Sequence, residues 1–167
     1  MKTSLETAEK LADSMHREAD LLKKFALNGN KIMEDLTDLN WKDLQIHLTV
    51  SQKLSRVIEE LESERTVQYQ RFHRETGALE SANFYQVAVC AVEPVRSKLI
   101  RQFRELKLAL LQAQGMNWKI ETYVASAGGT MKELLNRLFP HRKGTMYSKQ
   151  GVVRETDNNP LVLNREL

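Results

Sequence analysis

Leu11, Met15, Ala19, Leu22, Phe25 or Ala26, Gly29, Met33 and Leu36 step by three or four positions. That spacing lines one face of an α-helix with 3.6 residues per turn and predicts a first helix over residues 4–38. Gly29 lies on the stripe and costs about 1 kcal/mol of helix propensity relative to alanine, so it either admits a close neighbour or marks a weak point. Asn40 then stands where a side chain caps free N–H groups, with Leu39 and Leu44 placed for a hydrophobic staple, so a second helix is expected from residue 41. Its stripe is Leu44, Leu48, Leu54, Ile58, Leu61, Tyr69 and Phe72, and it fades near residue 74 before Gly77. Trp41 is expected to act as a lid on the bundle end.

Residues 75–83 form the expected linker, and the short apolar run Phe84–Val92 is assigned as helix. Pro94 suits the first turn of a third helix over about residues 94–127 or beyond, with Val95, Leu99, Phe103, Leu106, Leu110, Asn117, Ile120, Val124 and Ala127 on one stripe. An unpaired amide on an apolar face costs about 1 to 3 kcal/mol, so Asn117 should find a partner there. Gly128-Gly129 followed by Thr130-Met-Lys-Glu133 reads as a break, or an easily broken place, with a capping box, so that residues 130–139 form a short helix or continue the third one. Its apolar face is Met131, Leu134, Leu135 and Leu138. Pro140 ends the helical pattern, and too few apolar residues follow for the tail to pack alone. The fold expected is therefore all-α: an elongated antiparallel bundle of long helices with a short C-terminal helix and an irregular tail. The bundle domain spans residues 1–139 and a flexible tail spans 140–167. A 34-residue helix is about 50 Å long, so a rod is expected.

Composition narrows the class. A chain of 167 residues with 41% hydrophobic and 28% charged residues, seven glycines and three prolines fits one helical domain and lacks the turns of a sandwich or barrel. No apolar run approaches a membrane span, and Met-Lys-Thr-Ser-Leu-Glu-Thr lacks the core of a secretory signal, so the expected location is the cytoplasm, without membrane insertion. Cys90 is the only cysteine, which excludes an internal disulfide; within Val87–Val92 it reads as a small apolar residue and not as a reactive thiol. A net charge of +3, with acids interleaved among the bases, argues against nucleic acid.

Candidate chemistry is sparse. There is no nucleotide-binding glycine loop, zinc knuckle or nucleophile elbow, so neither catalytic residues nor a cofactor are assigned and an enzyme is disfavoured. Asp13-x-x-His16 and Asp43-x-x-x-His47 place ligand types on one helix face, but no glutamates occupy the apolar stripes, as a dinuclear bundle site requires, and no metal is assigned. His16, His47, His73 and His141 read as solvated or helix-end residues. Arg96, Lys98, Arg101, Arg104 and Lys107 fall mainly opposite the apolar stripe and read as a solvated face, to be answered by Glu59, Glu60, Glu62 and Glu64 across the bundle or by another protein.

The run Leu-Phe-Pro-His-Arg-Lys-Gly-Thr-Met-Tyr-Ser-Lys-Gln-Gly over residues 138–151 resembles the end of the FlgN family of flagellar type III export chaperones. There a leucine, a proline and a Thr-x-Tyr-x-x-x-Gly element follow the final helix. Leu134, Leu138, Pro140, Thr145, Tyr147 and Gly151 carry the match. Asn117 matches a family asparagine, whereas Trp118 stands where a glycine is expected.

The resemblance implies a non-enzymatic, cofactor-free chaperone that holds hook-associated proteins of the hook-filament junction by their amphipathic C-terminal segment. Met131, Leu134, Leu135 and Leu138 are the candidate client-binding face. It also implies that Tyr147 docks on the cytoplasmic domain of the export gate protein FlhA. Homo-oligomerisation stays open. The competing reading is a coiled-coil structural or regulatory module, for which the long stripes are equally good evidence. A third, a metal-dependent four-helix enzyme, requires bound iron or manganese.

Overall fold

The computed structural model describes residues 2–138, 145–147 and 153–155, and the chain divides into two units, residues 1–122 and 123–167. Helix α1 spans Lys2–Asp38, α2 Trp41–Thr76, the short α3 Phe84–Val89, and α4 Val95–Leu138. These form the all-α bundle that the periodicity predicts. Local chemistry sets the ends. Asn40 accepts from the Asp43 N–H at the start of α2, and Gly77 closes it in the left-handed conformation, φ 65°. Asn83 and Gln86 form a reciprocal capping box on α3. Leu39 makes the α1–α2 turn with a φ of 57°. Leu44 is buried, but Leu39 and Trp41 are both exposed, so the expected staple does not cover the bundle end and Trp41 is no lid.

In the first unit α1 and α2 run antiparallel. Arg17 pairs with Glu64 near the start of α1, while Asn28 meets Ser51 and Asp35 meets His47 further along it. The α4 helix runs parallel to α1, since Asp13 pairs with Lys98 and Gly29 lies under Met116. The chain therefore goes up, down and up. The core gathers Ala8, Leu11, Ala12, Met15 and Ala19 of α1 with Leu99, Leu106, Ala109 and Ala113 of α4. Small residues let the helices approach closely: a methyl group built on Gly29 would lie 2.5 Å from Met116 Cγ. Gly29 thus admits a close neighbour.

Close approach also shifts the buried stripe of α4. Val95, Leu99, Gln102, Leu106, Ala109, Ala113 and Met116 are buried, whereas Leu110 and Asn117, assigned to the core from their spacing, are exposed. Asn117 therefore needs no buried partner. Bulky residues beside Ala109 and Ala113 drew the sequence stripe one position off, because the small side chains facing α1 carry less hydrophobic signal. Phe103 is partly buried and stacks on Phe84, with ring centroids 3.9 Å apart; Phe84 in turn stacks on Tyr69 of α2.

The structure also decides several further expectations. Of the two alternatives at Gly128-Gly129 the continuous helix holds: α4 runs unbroken to Leu138, and residues 130–138 are its last part. Thr130 Oγ1 donates to the Ser126 carbonyl at 3.1 Å, using its hydroxyl on the preceding turn instead of on a cap. Cys90 caps the end of α3 and is exposed. The acids of α2 answer α1 and α2 itself: Glu64 pairs with Arg17 and Glu62 with Arg65, while Lys98 and Arg96 of α4 pair with Asp13 and Glu93. In the second unit, β1 (Thr145–Tyr147) and β2 (Val153–Glu155) pair antiparallel, with Thr145 opposite Glu155 and Tyr147 opposite Val153. That hairpin stands within the stretch expected to be irregular.

Candidate functional site

Within the second unit, the last turns of α4 carry the candidate face. At 100° per residue, Val124, Ala127, Met131 and Leu134 fall on the side of α4 that, earlier in the same helix, bears Ala109, Ala113 and Met116. The face that buries the core thus continues as an apolar face, yet Val124 is 50% exposed, Met131 58% and Leu134 51%. Leu135 and Leu138 belong to α4 and share this side by periodicity, but their side chains lie outside the described residues. Sequence reasoning found Met131 and Leu134 and gave Val124 and Ala127 to the core; both are exposed. Fully burying each large side chain of such a face is worth about 1.5–3 kcal/mol, which is the driving force available to a partner helix.

Tyr147 ends β1, and its side chain lies outside the described residues, as do Pro140, His141 and Gly151.

Elsewhere the polar groups are structural. His47 Nδ1 lies 2.6 Å from Asp35 Oδ2, and Asn28 Nδ2 donates to the His47 carbonyl and to Ser51 Oγ, both at 2.8 Å. This partly buried layer joins α1 to α2, and it corrects the reading of His47 as solvated: its partner is Asp35, while Asp43 bonds to Asn40. His16 is exposed beside Asp20, and His73 meets the edge of Tyr69. Glu18 is buried on α1 and accepts from Arg65 Nε at 2.5 Å. Burial pushes its carboxyl above the ordinary glutamate range, against the opposing pull of the Arg65 guanidinium. A cavity of about 160 Å³ opens beside this pair, lined by Leu11, Met15, Arg65, Tyr69, Phe84 and Phe103. Among the described residues no group of three or more histidine, cysteine or carboxylate side chains is placed to hold a metal ion. No helix of the described residues is long and apolar enough to cross a membrane.

The fold is a helical bundle, and among the described residues the last turns of α4 expose the apolar side chains Val124, Met131 and Leu134. No family model, curated relative or solved structure matches the chain.

Proposed function

We propose that this chain is a non-enzymatic, cytoplasmic export chaperone of the FlgN type. It holds the amphipathic C-terminal segment of a hook-associated protein on the last turns of α4 and hands it to the cytoplasmic domain of the FlhA export gate. The observation that carries this reading is the exposure of Val124, Met131 and Leu134 on a helix face that is core elsewhere in the same helix. An amphipathic client helix laid on it buries apolar area on both partners and loses the surface through which it would otherwise self-associate. The Thr145, Tyr147 and Gly151 spacing adds the family likeness.

The test is Met131→Asp combined with Leu134→Asp, with binding to a hook-associated protein followed by calorimetry. Both positions are more than half exposed, so circular dichroism should remain that of the wild type. In the complex the carboxylates lose their water, and affinity should fall at least about a hundredfold. Native affinity in the folded double mutant would place the client elsewhere and overturn the assignment.

A further inference from the structure

The outer side of α4 carries a second seam, distinct from the stripe that faces α1. Arg101, Arg104, Leu108, Leu111, Gly115 and Trp118 alternate steps of three and four, the a/d spacing of a coiled coil. Leu108, Leu111 and Trp118 are 61%, 63% and 68% exposed, and nothing lies within 4 Å of a methyl group built on Gly115. Such large side chains on the back of a helix that already buries its other face are otherwise a liability in water.

The seam offers both a knob and a hole. The knob is Trp118. The hole is an open depression of about 350 Å³ lined by Ser97, Ile100, Arg101, Arg104, Glu105 and Leu108. Set antiparallel against a second copy so that Leu108 meets Leu111 of the other chain, the same offset puts Arg104 opposite Gly115 and Arg101 opposite Trp118. Every match occurs twice. The missing side chain at Gly115 leaves room for the long Arg104 stem, and the guanidinium of Arg101 lies against an indole face, the aromatic partner that cations favour most. Arg101 at one end of the seam is therefore answered by the aromatic end of its twin, while the Arg104 stem packs over Gly115 with its guanidinium free to reach water.

We propose that α4 is the dimerisation element of this protein, two copies pairing antiparallel along Arg101–Trp118 with Trp118 of each seated in the depression beside Arg101 of the other. A twofold contact of this kind closes on itself and does not propagate into a filament. The client face at residues 124–138 is not used by it.

Sedimentation of the full chain tests the register. The wild type should show a concentration-dependent monomer–dimer equilibrium. Arg101→Glu should weaken it by removing the cation over the indole, and Trp118→Arg should do so by crowding guanidinium groups; each should raise the dissociation constant at least about tenfold. Combining the two sets the new carboxylate of each copy against the new guanidinium of the other and should bring affinity back to within about threefold of the wild type. Both positions are exposed, and unchanged helicity in circular dichroism checks that each variant is folded. A wild type that stays monomeric at all concentrations overturns the proposal. So does a dimer indifferent to either single change, or a double variant no better than the worse single one. A monomer that instead sediments with phosphatidylglycerol vesicles in a Trp118-dependent way would give the seam to a lipid surface and overturn it equally.

Discussion

Glu18 and Arg65 show how a single pair sets a pH response. Glu18 is buried, and desolvation raises its carboxyl above the usual range despite the guanidinium that donates to it. A carboxyl whose folded-state pKa exceeds its unfolded value binds more protons in the native state between the two, so stability falls as pH rises through that window. The burden is absent below the unfolded pKa and complete above the folded one. Glu18→Gln removes the charge and keeps an oxygen for Arg65. Its stability relative to wild type in urea titrations should therefore grow as pH rises from about 4 and then level off. A gap that shrinks with rising pH would mean that attraction to Arg65 outweighs the desolvation. Pairings of this kind were hardly legible in the sequence. His47 is paired with Asp35 across the α1–α2 turn, a partner fixed by the register of the hairpin, whereas local spacing offered only Asp43.

Among helices, the same residue type has opposite meanings at two places. Gly29 sits at a close approach of α1 to α4, and an added methyl group must displace Met116 Cγ. Gly128 and Gly129 lie in α4 with nothing within 4 Å of the position a methyl group would take. Gly29→Ala gains about 1 kcal/mol of helix propensity but overpacks the interface by about 1–3 kcal/mol, so chemical denaturation should show a net loss of up to about 2 kcal/mol. Met116→Ala should relieve part of that loss, giving less than additive effects in the double mutant. Gly128→Ala with Gly129→Ala should instead slow amide exchange over residues 124–134, each gaining about 1 kcal/mol of propensity. Faster exchange would mean that the glycines hold the helix in a form alanine does not support.

The helices themselves were legible because 3.6-residue periodicity and the Asn40 cap are local signals, and the observed bounds differ from those expected mostly by a few residues. The exact face of α4 was not, because Ala109 and Ala113 reveal their burial only through the close approach of α1. Nor was the continuity across Gly128-Gly129, where a weak propensity signal was outweighed by the uninterrupted hydrogen-bond ladder. Met131 and Leu134 were legible as an apolar pair, but whether they were covered depended on which part of α4 finds a neighbour.

For the whole molecule, the proposed function separates holding a client from delivering it, and the two tasks fall on different elements. Holding is assigned to the apolar face of α4, in which Met131 and Leu134 are exposed. Delivery is assigned to Tyr147, at the end of β1 and opposite Val153 in the hairpin register. If the tasks are separate, Tyr147→Ala should leave helicity, stability and client affinity near wild type, since substitutions away from a packed core usually stay within about 0.5 kcal/mol. What it should remove is an aromatic anchor, and losing one well-packed anchor of this kind costs about 2 kcal/mol or more, which is about thirtyfold in affinity. The measurement is a titration of the chaperone–client complex against the isolated cytoplasmic domain of the export gate, wild type beside mutant, together with client binding for both. Equal gate affinity would remove Tyr147 from delivery. A parallel loss of client binding would join the hairpin to the holding surface, and a large loss of stability would make the tyrosine part of the folded core. Only a selective fall in gate affinity supports the division of labour, because it is the one outcome in which the two surfaces act independently.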